Sequence, residues 1–262
     1  MTKSVDSLFS PDSVTWKIHS DPSMVVGGIR ALLEQALHPV AMDGVAKNSN
    51  FREDAWGRLQ RTGDYVATIT FAPRAEAEKL SARVRSIHTK LGLDNPHELL
   101  WVHMAMVDSF LDVAIRSGLS ISPTEADQYL DEMVEFAFQV GIPAADVPRN
   151  QRELKQYFID ISPELTATDY AKRAALFLAI PPMSPVIRFA TPAAPAWGSL
   201  VSLATASLPA WARRLYNVPS LPGQTFATDL ALKSVRRGLL VLPQSMREGP
   251  VYKAARERMA TA

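Results

Sequence analysis

The chain has 262 residues, of which 47% are hydrophobic, enough to bury a large core. Lys and Arg number 28 against 27 Asp and Glu, so the formal net charge is +1 and no strong field favours a nucleic-acid partner. Because cysteine is absent, the composition excludes disulfides, Cys-ligated zinc, iron–sulfur clusters and covalently attached haem. Any metal must be held by histidine, carboxylate or hydroxyl groups.

The first segment, residues 1–23, mixes charged residues with proline and has no apolar stretch, so we expect no signal peptide and a cytoplasmic location. Residues 189–212 carry no formal charge, a run long enough to be considered as a membrane span. Pro192, Pro195 and Pro209 interrupt this run. We interpret it as a buried or interfacial helix that does not span a membrane, and peripheral contact with a membrane stays open.

Apolar residues recur at helical spacing through almost the whole chain, which predicts an all-α protein of about 10–13 helices in a single globular domain. Ser122 followed by Pro123 and Glu125, and Asn95 followed by Pro96, are strong helix starts. The predicted helices are Met24–Leu37, Val40–Lys47, Trp56–Phe71, Pro73–Leu91, Pro96–Ser117, Pro123–Val140, Gln151–Ser162, Thr168–Leu178, Val186–Ala190, Ala196–Leu208, Ala210–Leu215, Gln224–Leu239 and Pro250–Ala260.

The sequence shows no internal repeat, low-complexity run or sustained heptad, so one domain is the simplest interpretation. We expect residues 1–23 to form an N-terminal extension and residues 24–262 to form the domain. The strongest candidate for an internal boundary is the proline-rich segment Pro181–Pro185. The alternative is that this segment is a crossover loop inside one core.

Four polar side chains share one face of the predicted helix Trp56–Phe71. At about 100° per residue, the two guanidinium groups, the hydroxyl and the phenol fall within one quadrant. Such a face suits an anion. The alternative is a solvent-exposed, arginine-rich face with the tyrosine half buried. The four residues are Arg58, Arg61, Thr62 and Tyr65.

Five histidines are the remaining nitrogen ligands, and they form no H-x-x-x-H or H-E-x-x-H pair. His88 lies at the edge of the apolar stripe of its helix and His103 near the centre of the next, so periodicity predicts that His103 is the more buried. A lone histidine on such a stripe is more often a satisfied core residue than a ligand. His97 is expected to be exposed, and His38 before Pro39 is either a helix cap or part of a pocket wall.

Asp108 differs from the other acidic residues, because it follows His103 by five residues in an otherwise apolar helix. It either lines a polar cavity or accepts a hydrogen bond. The sequence contains no G-x-G-x-x-G, Walker or G-x-S-x-G motif, which removes the usual nucleotide-binding and serine-hydrolase interpretations.

An ordered series of short motifs resembles the family of rubber oxygenases (latex clearing proteins) and mpaB-type oxygenases. The resemblance covers residues 25–150 and continues more weakly to the C-terminus. No single motif is specific, but their order is. The motifs are His38-Pro39-Val40-Ala41, Gly44-Val45-Ala46, Arg58-Leu59-x-Arg61-Thr62-x-x-Tyr65-Val66, Val84-Arg85-x-x-His88, Leu99-Leu100-Trp101-Val102-His103 and Asp108-Ser109.

The resemblance implies an all-helical catalytic domain around a non-covalent haem b, with an oxygenase or related activity that uses O₂ on an apolar small molecule or alkenyl chain. In that family the histidine of the Val-Arg-x-x-His motif is the proximal iron ligand. This assigns the metal to His88 and overrules the preference for His103 from periodicity. The other residues expected near the cofactor are Arg58, Arg61, Tyr65, His103 and His38.

The sequence departs from the rubber-cleaving members at three positions. Arg61 stands where they have an iron-ligating lysine, and a guanidinium offers no lone pair, so we expect an open or water-closed distal side. Asp43 is the nearest acid where they use a glutamate base, and Asn48-Ser49 replaces a frequent His-Ser. Polyisoprene cleavage is therefore not expected. The catalytic candidates are Arg58, Arg61, Thr62 and Asp43.

The leading hypothesis is a haem b-dependent oxygenase. Peroxidase-like chemistry on the same haem is one alternative. A haem sensor or carrier without turnover is another, and a member that has lost its haem is the third. The substrate, the reductant and the oligomeric state stay open.

Overall fold

We describe the protein from a computed structural model, which covers residues 6–48 and 55–261. Within these ranges the chain forms fifteen α-helices, one short 3₁₀ turn and no β-strand, which confirms the all-α, single-domain prediction with two helices more than expected. The helices are α1 Val14–His19, α2 Met24–Gln35, α3 Pro39–Asn48, α4 Ala55–Phe71, α5 Arg74–Leu91, α6 Pro96–Arg116, α7 Pro123–Val140, α8 Gln151–Ile161, α9 Asp169–Ala179, α10 Pro185–Ala190, α11 Ala193–Ser207, α12 Ala210–Leu215, α13 Gln224–Val241, α14 Gln244–Arg247 and α15 Pro250–Thr261, and the 3₁₀ turn is Ser162–Glu164.

The strongest predicted helix starts are formed as expected. The Ser122 hydroxyl accepts a hydrogen bond from the Glu125 amide, and the Glu125 carboxylate accepts one from the Ser122 amide, a capping box that opens α7. The Asn95 side chain accepts from the His97 amide at the start of α6. Gly141 ends α7 in the left-handed region at φ 97°.

The first helix, α1, is part of the core. Val14, Trp16 and Ile18 are buried, and the Trp16 ring packs edge-on against Phe71 with a centroid distance of 5.0 Å. Helix α1 contacts α4, α6 and α7. The division between residues 1–23 and residues 24–262 stays a prediction, and the structure adds that this first helix is packed as firmly as those that follow it.

Helix α6 is buried on two opposite sides and divides the core into two halves. The α7-side core contains Met104 and Val107 and packs with α1, α4 and α7, whereas the α2-side core contains Trp101 and Ala105 and packs with α2 and α11. Trp101 and His103 are two residues apart, about 200° around a helix. Their side chains therefore point into different halves of the core.

The uncharged run 189–212 includes α11, which packs against α2, α9 and α13 and buries Val201 and Ala204. Among the described residues, no helix is long and apolar enough to cross a membrane. The proline-rich segment Pro181–Pro185 joins α9 to α10, and both of these helices contact α11. It is therefore a connection inside one domain, the second of the two interpretations that the sequence left open.

A buried ion cluster joins α2 to α6. Arg30 Nη2 lies 2.8 Å from Asp108 Oδ2 and 3.7 Å from Asp112 Oδ2, and the Arg30 side chain is 3% exposed. Glu34 is fully buried and accepts a hydrogen bond from the Ser109 hydroxyl. Burial raises the pKa of the Glu34 carboxyl to about 8, although the Arg30 charge opposes the rise. Of the two roles predicted for Asp108, the structure thus supports the hydrogen-bond acceptor.

Candidate functional site

Helices α4 and α5 form an antiparallel hairpin, so the beginning of α4 and the end of α5 lie at the same end of the hairpin. Arg58 belongs to the first turns of α4, and His88 belongs to the last turn of α5. These two predicted residues are 30 positions apart in the sequence, and the hairpin brings their helix ends together. Which of them faces a ligand depends on burial and hydrogen bonding.

The polar face of α4 has the geometry that helical spacing predicts. Thr62 Oγ1 donates a hydrogen bond of 3.0 Å to the Arg58 carbonyl oxygen, four residues back in the same helix. Thr62 and Arg61 are exposed, whereas Arg58 is partly buried. Burial, and then the neighbouring Arg61 charge, lower the pKa of the Arg58 guanidinium. Two cations are therefore held close together, an arrangement that favours an anion, although the catalytic roles of these residues stay predictions.

Tyr65 occupies the inner end of the same face, where α4 meets α5. Its hydroxyl and the Ser81 hydroxyl are both buried and lie close to each other. Burial raises the pKa of the Tyr65 phenol, and the nearby Ser81 and Arg85 oppose that rise. Arg85 Nη1 donates to the Gln139 carbonyl oxygen at 2.6 Å and so ties α5 to α7. Because burial raises its pKa, the phenol is protonated at neutral pH.

His88 is half-buried on the face of α5 that also carries Ser81 and Arg85, since spacings of seven and three residues place side chains on one side of a helix. Its Nδ1 atom is buried and has no hydrogen-bond partner among the residues described. Burial lowers the pKa of the imidazole, and Asp94 opposes this effect. A neutral imidazole keeps a lone pair for a metal.

His103 is enclosed on the α7 side of α6, with 4% exposure, which confirms the prediction that it is more buried than His88. Both ring nitrogens are buried, and the Met133 backbone lies beside the ring. Burial lowers the pKa of His103 to about 4. The Phe136 ring lies 5.8 Å from the His103 ring and 6.0 Å from the Tyr65 ring, between the two polar groups. These side chains form one cluster where α4, α5, α6 and α7 meet, and its role as a cofactor site stays a prediction.

A further histidine, the partly buried His19, borders this cluster and was not singled out by the sequence. Its Nδ1 atom lies 2.8 Å from Thr70 Oγ1, and its Nε2 atom lies 3.1 Å from the Tyr129 hydroxyl. Burial, and then His103, lower the pKa of His19 to about 3. Residue 19 belongs to α1, which apolar periodicity did not predict, and its neighbours come from distant parts of the chain. No local signal in the sequence marks it.

We expect His19 to make folding sensitive to acid. Its pKa falls from 6.5 to about 3 on folding, so below pH 6.5 the unfolded chain binds a proton that the folded chain does not, and stability falls as the pH falls. Between about pH 7.5 and about pH 5 this group should cost about 2 kcal/mol of unfolding free energy. Urea unfolding at both pH values should show that His19→Gln loses about 2 kcal/mol less than the wild type.

The experiment compares how the unfolding free energy changes with pH in the wild type and in His19→Gln. Titrating groups that the two proteins share contribute equally to both changes, so their contributions cancel. One such group is Glu34, whose pKa burial raises and whose effect on stability runs in the opposite direction. Equal losses of stability in the two proteins on acidification would show that folding leaves the pKa of His19 unchanged.

Two predicted site residues lie away from the cluster. Asp43 is partly exposed on α3 and pairs with Lys47 Nζ at 2.5 Å, and nothing described connects it to His88. His38 packs near Trp101, with ring centroids 6.2 Å apart, in the α2-side core. His38 and His103, two of the residues expected near the cofactor, lie on opposite sides of α6, and the structure does not bring them together. Of the pair Asn48-Ser49, Ser49 lies outside the described residues.

The donor set of the cluster fits a haem in its chemistry. Two neutral imidazoles can offer a nitrogen lone pair to iron, and the Arg58 guanidinium can pair with a propionate. The buried His88 Nδ1 atom, which has no hydrogen-bond partner among the described residues, indicates that the arrangement is incomplete without a ligand.

A comparison with sequence models of protein families identifies the family of this chain. The sequence model of a family described as "ER-bound oxygenase mpaB/B'/Rubber oxygenase, catalytic domain" matches residues 16–237. This range runs from α1 into α13 and contains all of the predicted site residues. Searches among curated proteins and among solved structures found no match. Since the match covers most of the chain, this protein belongs to the ER-bound oxygenase mpaB/B' and rubber oxygenase family and contains its oxygenase-type catalytic domain.

Proposed function

We propose that the protein is a haem b-dependent oxygenase that acts with O₂ on an apolar small molecule or an alkenyl chain. The family supports the oxygenase class. The observation that carries the haem assignment is the His88 imidazole, which burial keeps neutral and whose Nδ1 atom is buried without a hydrogen-bond partner among the described residues. Its position in the Val-Arg-x-x-His motif supports its role as the iron ligand.

When bound, haem supplies an iron centre that binds and activates O₂. Different residues at the open end of the α4–α5 hairpin would contact different parts of the haem. His88 offers a nitrogen, and Arg58, half-buried at the same end, offers a positive charge for a propionate. Arg61 cannot ligate iron, because a guanidinium has no free lone pair. Its exposed charge can bind a second carboxylate or an incoming anion.

The inner part of the cluster positions a proton and excludes water. The Tyr65 phenol keeps its proton, because burial raises its pKa. The enclosed His103 stays neutral at physiological pH, and the Phe136 ring covers the space between His103 and Tyr65. This leaves one hydroxyl donor in mainly apolar surroundings. An apolar substrate with few polar groups matches such a lining better than a charged one does.

The test is a measurement of haem content followed by turnover. Protein expressed with a haem precursor should give one haem b per chain in a pyridine haemochrome assay. It should also consume O₂ with a reductant in a way that depends on an added alkene and exceeds a free-haem control. Bound haem without turnover would instead identify a sensor or carrier, and turnover with peroxide alone would identify a peroxidase. Protein without haem would overturn the proposal.

A further inference from the structure

We propose that His38, His97 and Glu164 bind a divalent transition-metal ion of the zinc type, at a site separate from the α4–α5 hairpin. One ligand atom from each of these side chains lies within 4.8 Å of the other two. His97 Nε2 is 2.8 Å from Glu164 Oε2, and His38 Nε2 is 3.4 Å from the same oxygen. Two imidazole nitrogens thus converge on one carboxylate oxygen.

The three side chains come from three separate parts of the fold. His38 directly precedes α3, His97 lies in the first turn of α6, and Glu164 ends the 3₁₀ turn after α8. Trp101, one turn further along α6, lies on the same side of that helix as His97 and packs near the His38 ring. An ion here would therefore join the α2–α3 connection, α6 and the segment after α8. It would lie on the side of α6 opposite His103.

Two imidazoles and one carboxylate form a donor set that zinc uses with a fourth position left for water or another ligand. Zinc–nitrogen and zinc–oxygen bonds of about 2.0–2.1 Å require tetrahedral ligand atoms about 3.3 Å apart. The His38–Glu164 distance of 3.4 Å already meets this requirement. The His97–Glu164 distance must open by about 0.5 Å. Both of these side chains are about half exposed, at 48% and 47%, and have the freedom to do so.

A second observation points to a ligand at this place. His38 is 2% exposed, and its buried Nε2 atom faces Glu164 Oε2 at 3.4 Å, longer than the usual 2.7–3.2 Å of a nitrogen–oxygen hydrogen bond. The Tyr157 hydroxyl is also buried, without a hydrogen-bond partner among the described residues. A buried imidazole held at this distance from a carboxylate is well placed to coordinate a cation together with it.

Metal binding through His38 Nε2 has one cost. His38 Nδ1 accepts a hydrogen bond from the Ala41 amide at 3.3 Å, and this contact is lost when Nε2 holds a metal and the ring proton moves to Nδ1. The contact is longer than the usual 2.9–3.0 Å of a backbone donor, so it is weak. The competing arrangement is a tether without metal, in which each histidine hydrogen-bonds to Glu164.

Titration with Zn²⁺ distinguishes the metal site from the hydrogen-bonded tether. The whole chain is first freed of metal with a chelator, which is then removed. Calorimetry with ZnCl₂ should show one saturable site in the wild type. His97→Ala and Glu164→Gln should each weaken binding by more than about tenfold, because even the loss of a partner outside the ligand shell costs about 10–100-fold. Both replaced side chains are half exposed, so the variants should fold. Neither variant touches the residues proposed to hold haem.

The matched control is Asp160→Asn, which removes an exposed carboxylate from the end of α8, where it accepts a hydrogen bond from Gln156. This variant should bind Zn²⁺ as the wild type does. The proposal is overturned by the absence of a saturable site in the wild type, or by equal Zn²⁺ affinity in the wild type, His97→Ala and Glu164→Gln. Either result would mean that the cluster is only a hydrogen-bonded tether.

Discussion

Replacing His88 by Ala is expected to remove most of the bound haem. The half-buried imidazole is neutral, its Nδ1 atom has no hydrogen-bond partner among the residues described, and it lies at the hairpin end that also holds Arg58. Without this nitrogen, iron loses its bond to the protein, and only the propionate contacts and apolar packing remain. Haem content per chain, measured by pyridine haemochrome assay on proteins purified side by side, gives the result.

The informative comparison is with His103→Ala. His103 is enclosed next to Phe136, so its loss should leave haem bound while changing the Soret spectrum. Circular dichroism checks that both variants keep their helices. Wild-type haem content in His88→Ala together with loss of haem in His103→Ala would reverse the assignment and make the more buried histidine the ligand.

The two histidines show what helical periodicity can and cannot predict. It ranked their burial correctly, because the angular position of a residue relative to an apolar stripe determines how deeply its side chain lies in the core. Whether a histidine coordinates iron depends on what fills the space beside its ring, and helical periodicity does not predict the contents of that space. The choice of His88 rests on a motif, and the geometry shows only that both rings are neutral.

All of the long helices were predicted, and of the four shortest helices α10 and α12 were predicted whereas α1 and α14 were missed. Helices α6 and α7 start at Asn95 and Ser122 because side-chain caps and a following proline specify those positions locally. Helix α14 is a single turn of four exposed residues, too short to leave a periodic apolar pattern. Helix α1 has six residues, too few to be stable alone, so tertiary packing of its four buried residues decides that it forms. This is why Trp16, a buried residue of the core, lay in a segment interpreted as an extension.

A polar site within one helix could be predicted from the sequence, whereas a site assembled from several elements could not. Arg58 and Tyr65 share a helix, so their common face follows from spacing alone. The cluster of His38, His97 and Glu164 joins residues from three elements, and its members have no spacing that a sequence pattern could recognise. The separation of His38 from His103 by α6 could not be predicted for a related reason. The path of the chain around α6 is set by packing over the whole fold.

Replacing Arg30 by Met is expected to lower the unfolding free energy by about 3–5 kcal/mol, the usual cost of breaking a buried ion pair from one side. Arg30 is 3% exposed and holds Asp108 at 2.8 Å, with Asp112 at 3.7 Å. Burial disfavours the charge of Arg30, but the surrounding carboxyls outweigh that effect and raise its pKa. Without the guanidinium, these acids are left together in a poorly hydrated place. Urea unfolding at neutral pH measures the loss.

Two further variants distinguish the loss of charge balance from the loss of packing around Arg30. Arg30→Met combined with Asp108→Asn should recover part of the stability, because the double variant no longer leaves that carboxylate without its cation. Arg149→Met removes an equally short contact, 2.6 Å from Asp131, but both of these side chains are about half exposed or more. It should cost less than about 1 kcal/mol, because solvent screens the pair. If Arg30→Met costs no more than Arg149→Met, the three acids must already be protonated or hydrated in the folded protein, and the cluster contributes nothing to the contact between α2 and α6.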